Sequence, residues 1–296
     1  MISLNDMTTE KTNASTENLD IMSPLEIVQA MNREDATVAL AVQKLLPQIA
    51  QTVEWVGQSF RSGGRLIYMG AGTSGRLGVL DAVECPPTFG TSPDLVVGLI
   101  AGGERAFVKA VEGAEDSTTM GVEDLKALNL SAQDTVVGIA ASGRTPYVVA
   151  ALEYANGVGC NTVAISCNRG SAIGKAAKLA IEVEVGPEVL TGSTRLKAGT
   201  AQKMILNMIS TASMVGVGKV YHNLMIDVQQ TNAKLKVRAE NIVMQVTGVS
   251  REQARETLDA AKGSVKLALV MLLQDCDAQT AAQKLVVSNG HVRGAL

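Results

Sequence analysis

Three segments rich in glycine and hydroxyl side chains have residue types and spacings suited to binding an anion. The first, Gly70-Ala71-Gly72-Thr73-Ser74-Gly75-Arg76, follows the apolar run Leu66-Ile67-Tyr68-Met69 and reads as a tight turn between a strand and a helix. Glycines admit a ligand close to the backbone, and the free N–H groups and dipole of a helix N-terminus favour negative charge, so a phosphate suits this turn. Thr73 and Ser74 add two hydroxyls. Gly70-x-Gly72-x-x-Gly75 also fits a dinucleotide fingerprint, but the next apolar run, Leu95 to Ala101, leads into Gly102-Gly103 instead of an acidic ribose reader. The second segment, Ala141-Ser142-Gly143-Arg144-Thr145-Pro146, repeats the pattern, with Pro146 preset for a first helical turn. The third, Thr191-Gly192-Ser193-Thr194-Arg195-Leu196-Lys197, places cations in the first turn of an expected helix, the end at which the macrodipole disfavours them. An anionic ligand would account for Arg195 and Lys197, and so would neighbouring carboxylates. The first turn can equally serve packing, and Ser142 and Thr145 can equally cap a helix.

The elements that must position these loops follow from periodicity. From Arg65 apolar runs alternate with helical segments: a strand to Met69, a helix from Gly75, a strand Leu95 to Ala101, a helix from Glu104, a strand Thr135 to Ala140, and a helix from Pro146. Two more strands, Thr162 to Ser166 and Ala180 to Val185, flank a short helix. Five such runs predict an α/β fold with a five-stranded parallel sheet and helices on both faces, its ligand loops at the carboxyl ends of the strands. Ser23-Pro24-Leu25-Glu26 predicts a capped helix start after an extended arm of twenty residues. One or two helices then run from Val38 to Phe60 before Ser62-Gly63-Gly64. A long helix is expected from near Ser193 to about Gly218. Beyond Tyr221 the pattern is all helical, with Ser250-x-x-Gln253 as a second cap, and Lys234, Lys236 and Arg238 read as a solvated face. The expected organisation is N-terminal arm and helices 1–62, a central domain 63–220 and a small helical region 221–296.

Composition narrows the function. The chain has 296 residues, 46% of them hydrophobic, so it can bury a full core. A net charge of −3 with 3% aromatic residues argues against nucleic acid and leaves recognition to hydrogen bonds. Cys85, Cys160, Cys167 and Cys276 form no C-x-x-C pair and only two histidines exist, which argues against zinc or a disulfide framework and fits a reducing cytoplasm. Met1 to Asp20 carries no apolar leader and no run approaches a membrane span, so a soluble protein is expected.

Three hydroxyl-rich helix starts in one α/β domain resemble the sugar isomerase domain, which binds phosphosugars. Within that superfamily, Gly70-Ala-Gly-Thr-Ser-Gly-Arg-Leu, Asp81-Ala-Val-Glu-Cys-Pro-Pro, Val111-Glu-Gly-Ala-Glu-Asp and Thr191-Gly-Ser-Thr-Arg-Leu-Lys-Ala-Gly-Thr-Ala-Gln-Lys resemble the N-acetylmuramic acid 6-phosphate etherases. The resemblance extends to Thr9-Glu10…Asn13, to Met31-Asn32-Arg33-Glu34-Asp35, and to C-terminal helices similar to a ubiquitin-associated three-helix unit. It implies cleavage of the D-lactyl ether of N-acetylmuramic acid 6-phosphate to N-acetylglucosamine 6-phosphate and D-lactate, in recycling of cell-wall amino sugars. Elimination across C2–C3 of the open-chain sugar followed by water addition needs a base and an acid, with no metal and no redox cofactor. By the family's motifs Glu84 is the acid that protonates lactate and Glu115 the C2 base. Ser74, Ser142 and Thr145 are the implied phosphate contacts, with Thr73 beside them and Ser193 and Thr194 near the sugar hydroxyls. An acid must be partly buried to stay protonated, and Glu84 stands between Val83 and Cys85 while Glu115 adjoins Asp116.

Geometry sets one constraint on this assignment. Ten residues of unbroken helix between Ser74 and Glu84 span about 15 Å, longer than a sugar phosphate. Either the helix bends before Pro86, or the phosphate sits nearer Ser142 to Thr145, or a second subunit contributes. The resemblance implies a homodimer. Two other functions share the superfamily: a non-catalytic phosphosugar sensor, as in the similar glucokinase regulatory protein, and an aldose-ketose isomerase.

Overall fold

The computed structural model describes residues 7–228, 230 and 233–296, so the first six residues of the expected arm lie outside the described residues. These residues form two compact units, one running to Val83 and resuming over Asp94–Ser210, the other made of Glu84–Pro93 and Thr211–Leu296.

The first unit begins with three single 3-10 turns, Thr8–Glu10, Ala14–Thr16 and Leu19–Ile21. This segment is therefore not the extended arm that the sequence suggested. It is tied down by long-range bonds: Thr16 Oγ1 donates to the Val189 carbonyl at 2.9 Å, and Thr9 bonds Asn168 through both its N–H and its hydroxyl. Helices α1 (Pro24–Asp35), α2 (Val38–Gln43) and α3 (Leu46–Arg61) follow. The expected reciprocal cap is present at α1, with Ser23 accepting from Glu26 N–H and Glu26 from Ser23 N–H.

The sheet comprises β1 (Leu66–Gly70), β2 (Val96–Ile100), β3 (Thr135–Ile139), β4 (Asn161–Ser166) and β5 (Leu179–Glu182), in the order β2-β1-β3-β4-β5. Every pair is parallel, so the predicted five-stranded α/β architecture is the observed one. The intervening helices are α4 (Gly72–Phe89), α5 (Arg105–Val108), α6 (Met120–Ala127), α7 (Pro146–Val158) and α8 (Ala172–Ala176), with α9 (Lys197–Gly216) after the last strand. The helix expected from Glu104 is thus only one turn, and a 3-10 turn at Ala114–Asp116 separates it from α6.

Alternation along β1 assigns the two faces. Ile67 and Met69 join a core with Val136, Tyr147, Val148 and Leu152, which puts α7 on their side. Tyr68 points the other way and donates to Asp81 on α4 at 2.8 Å. Asp81 also accepts from Asn207 and Ser210 of α9, so one buried carboxylate joins strand, α4 and α9. Helix α7 lies close to the sheet because Gly138 has no side chain: a Cβ there would come within 2.5 Å of Val148.

In the second unit the end of α9 is followed by a two-stranded hairpin, β6 (Val220–Tyr221) and β7 (Leu224–Met225), where an all-helical pattern was expected. Two-residue strands are too short to leave a periodic signal. Helices α10 (Ala233–Thr247), α11 (Arg251–Ala260), α12 (Val265–Gln274), α13 (Ala278–Val287) and α14 (Val292–Ala295) then pack around Ala239, Val243, Leu258, Ala268 and Leu269. Of the three residues expected on a solvated face, Lys234 and Lys236 are exposed and Arg238 is half-buried. No helix among the described residues is long and apolar enough to cross a membrane.

Candidate active site

In the sheet order observed, the chain leaves β1 towards β2 on one side and later returns to β3 on the other. The crevice beyond the carboxyl ends of β1 and β3 is therefore the topological switch point, where open parallel sheets bind ligands. Both loops singled out above open there, since Gly70 and Ile139 are register partners at the strand ends.

The first loop is both a packing turn and a helix start. A Cβ on Gly70 would lie 2.7 Å from the Gly75 nitrogen, and one on Gly75 would lie 2.6 Å from the Gly70 oxygen, so these two glycines are needed for the turn to close. Gly72, at φ +52° and with open space about it, supplies the left-handed step. Helix α4 starts at Gly72, three residues earlier than the pattern suggested, which puts Thr73 and Ser74 in its first turn. Ser74 is buried and donates to Gln202 Oε1 on α9 at 2.9 Å. Thr73 lies beside the same helix, since a Cβ on Gly199 would meet its Cγ2 at 3.6 Å. Arg76 is a strut, donating to the carbonyls of Ala106 and Phe107 at 2.8 and 2.9 Å.

The second loop leaves its hydroxyls disengaged from the helix. Thr145 occupies the N-cap of α7 but makes no side-chain cap bond, and Ser142 accepts only the local N–H of Arg144 at 3.3 Å. Capping is therefore not what these residues do. Asn168, following β4, clamps the loop by donating to the carbonyls of Ala141 and Ser142.

Glu115 stands between the two loops. Gly113, at φ +74°, turns the chain into the 3-10 turn Ala114–Asp116, and buried Ala114 anchors that turn while Glu115 remains exposed. The residue lines two cavities. One, of about 290 Å³, is bounded by Ala71, Gly72 and Arg76 of the first loop. The other, of about 320 Å³, is bounded by Ser142, Arg144 and Thr145 of the second. A carboxylate is thus placed beside hydroxyls and a cation, a setting for proton transfer next to a bound anion.

Among the basic residues of the three loops, Arg76 lines a cavity but is bonded to the Ala106 and Phe107 carbonyls, and Arg144 lines another. Its Nε is buried without a hydrogen-bond partner among the described residues, and it also lines a third cavity of about 440 Å³ with Asn168, Arg169 and Lys175. Lys197 is committed elsewhere, since it is buried and its Nζ pairs with Glu34. Burial alone would raise the Glu34 carboxyl, but the hydrogen bonds from Lys197, Asn13 and Ser15 together with the Lys197 charge outweigh it and hold the group below the usual range. The helix expected from Ser193 begins only at Lys197, and Glu188 caps it by accepting from the N–H groups of Lys197 and Ala198 at 3.0 and 2.9 Å. Lys197 at this terminus thus answers to a carboxylate of the same chain. Ser193 and Thr194 lie in the preceding turn, half-buried, and Arg195 is exposed.

Glu84 belongs to the second unit and is exposed on α4, beside exposed Val83 and buried Cys85. The helix continues through Pro86 and Pro87 to Phe89, so no break in it precedes Pro86. Both prolines fall in its last turn and lack the N–H groups that would donate to the carbonyls of Ala82 and Val83. The burial expected of an acid is not provided by the chain's own helix.

Gln202, Asn168 and the cavity position of Arg144 were not singled out by sequence reasoning. The available signal for Gln202 is a polar residue on the apolar face formed by Ala198, Ala201 and Ile205, all buried. Among the described residues, no group of three or more His, Cys, Asp or Glu side chains is placed to hold a metal ion.

Comparison with known proteins agrees with this architecture. Residues 48–156 match the model of the glucokinase regulatory protein N-terminal SIS domain, and residues 109–212 match the SIS domain model. A phosphoheptose isomerase structure from Neisseria gonorrhoeae superposes with a TM-score of 0.52 at 18% identity, covering 64% of this chain and 98% of that one, a likeness of fold. The chain is 59% identical to the N-acetylmuramic acid 6-phosphate etherase of a Geobacillus species over 99% of both proteins. It is 60% identical to that of an Exiguobacterium species, over 99% of this chain and all of the relative. Identity at this level over 99% of the chain shows that it belongs to the family of N-acetylmuramic acid 6-phosphate etherases.

Proposed function

We propose that this chain cleaves the D-lactyl ether of N-acetylmuramic acid 6-phosphate, giving N-acetylglucosamine 6-phosphate and D-lactate, as part of cell-wall amino-sugar recycling in the cytoplasm. The observation that carries the reading is Glu115, held at the wall of two cavities that open on the hydroxyl-bearing loops at the switch point. The phosphate is bound by Ser142 and Thr145, with Ser74 at the N-terminus of α4 and Arg144 supplying positive charge. Glu115 takes the C2 proton of the open-chain sugar, whose C1 aldehyde stabilises the resulting carbanion. The C3–O bond then breaks, Glu84 protonates the departing lactate oxygen, and water adds to the unsaturated aldehyde at C3. Ser193 and Thr194 contact the sugar hydroxyls.

The functional assembly is a homodimer. Leu80, Val83, Glu84 and Pro87 recur at helical spacing on α4, and Leu80 and Val83 are 43% and 57% exposed. A second copy covering this face would remove Glu84 from water, the burial that its role as an acid requires. Sedimentation under assay conditions tests the assembly, and a monomer that retains full activity would overturn it.

Isotope exchange tests the chemistry. With Glu84→Gln, deuterium from solvent should still enter C2 while D-lactate release is lost, and with Glu115→Gln both should fall by about 10²–10⁴-fold. Lactate release retained in either variant rejects the corresponding role. Failure of the unaltered protein to release D-lactate would favour a sensor or an isomerase, since neither produces it.

A further inference from the structure

The scheme above leaves one buried polar group unused. Gln202 is fully buried on α9, its Oε1 accepts the Ser74 hydroxyl at 2.9 Å, and its Nε2 is buried with no hydrogen-bond partner among the described residues. The two observations concern the same amide. A hydroxyl has a single proton, and in this arrangement Ser74 spends it on Gln202, so only its lone pairs face any other group. Lone pairs repel a phosphate. Meanwhile a buried amide donor without a partner is among the least favourable features a folded protein can carry.

The first difficulty is met by a single motion. A glutamine side chain is close to two-fold symmetric in shape about its last torsion, so a half-turn exchanges oxygen and nitrogen without moving the backbone. After the exchange, Nε2 donates to Ser74 Oγ, and the hydroxyl proton is free to point at an anion at the start of α4. An unpartnered donor becomes an unpartnered acceptor, and the new bond from Ser74 to the anion favours the second arrangement.

We propose that Gln202 is a positioning residue for the phosphate, its amide turning over on anion binding so that Ser74 changes from a donor to Gln202 into a donor to the ligand. The inference rests on the reading of Ser74 as a phosphate contact. Gln202 itself touches no substrate, and its effect is transmitted through Ser74 alone. It therefore predicts strong coupling between the two residues.

The test is a double-mutant cycle of Ser74→Ala and Gln202→Met, read as KM for the phosphosugar and as the inhibition constant of inorganic phosphate. Ser74→Ala should raise both by about tenfold, the loss of one charge-assisted hydrogen bond. Gln202→Met should raise both several-fold alone and add nothing in the Ser74→Ala background. A merely structural glutamine would give additive losses, and additivity overturns the inference. So does an effect of Ser74→Ala without any effect of Gln202→Met, which leaves the phosphate reading intact. If Ser74→Ala changes neither constant, the phosphate reading falls and the inference with it. Should Gln202→Met fail to fold, Gln202→Glu, equal in shape and able when ionised only to accept, is expected to give the same loss and the same lack of additivity.

Discussion

Replacing Asn168 by leucine should loosen the second hydroxyl-bearing loop, and the structure fixes how much. Asn168 is only 6% exposed, and its Nδ2 reaches Thr9 Oγ1 at 3.0 Å and the carbonyls of Ala141 and Ser142 at 3.3 Å each. Its Oδ1 accepts from Thr9 N–H at 3.3 Å. Two amide hydrogens shared among three acceptors give two full bonds at most, so three bonds in all are at stake. At about 1 kcal/mol each the loss is about 3 kcal/mol, or about 6–12 °C in the unfolding midpoint of a unit this size. The Ala141 carbonyl keeps its bond from Cys167 N–H at 2.9 Å, which places the loss towards the lower end. Asn168→Asp should cost more, because a buried carboxylate would then face two carbonyl oxygens. Thr9→Val should cost only about 1 kcal/mol, since it removes one bond of the cluster. The assays are thermal unfolding and KM for the phosphosugar, which should rise as Ser142 and Thr145 lose their fixed positions. An Asn168→Leu protein that melts within about 2 °C of the parent, or a Thr9→Val protein that loses as much as Asn168→Leu, would refute the clamp.

Two further predictions concern titrating groups. Burial would raise the Asp134 carboxyl, but its bonds from Arg65 and from the Ser131 N–H outweigh that and hold it below the usual range. A depressed folded value means the stabilisation is present above the unfolded pKa of about 3.9 and lost as pH falls through the lower folded value. Asp134→Asn should therefore cost about 2 kcal/mol at pH 7, between a surface and a buried pair, with the deficit shrinking below about pH 4 in acid unfolding curves. The thiols should also react in a set order. Burial pushes Cys160 up to about 11 and Cys167 up to about 12, whereas Cys276 is partly exposed. In the folded protein a thiol reagent near pH 8 should label Cys276 well before either, and mass mapping that finds Cys167 first would contradict this order.

Local chemistry accounts for what was legible in the sequence. Strand runs such as Leu66 to Met69 and Thr135 to Ala140, the Ser23–Glu26 cap and the glycine turn after β1 are all encoded within a few residues. Period, propensity and capping act at that range. Those features sufficed for the five-stranded parallel α/β fold and for placing two loops at the strand ends. The misplaced start of α9 shows where local rules fail. Ser193 and Thr194 look like a helix start, but the terminus is set by Glu188, whose carboxylate accepts the N–H groups of Lys197 and Ala198.

Only the tertiary structure decided which of the candidate residues are available for binding. Lys197 and Arg144 look equivalent in sequence, yet Lys197 is neutralised by Glu34 across 163 positions while Arg144 reaches a cavity. Ser74 finds Gln202 at a separation of 128, and Asn168 finds Thr9 at 159. Glu115 gains its place between the loops from the order of strands in the sheet. The physical reason is common to all of these: a charge or hydroxyl is defined by what lies within about 3 Å of it, and in a wound parallel sheet those neighbours come from distant stretches of chain that no local pattern specifies.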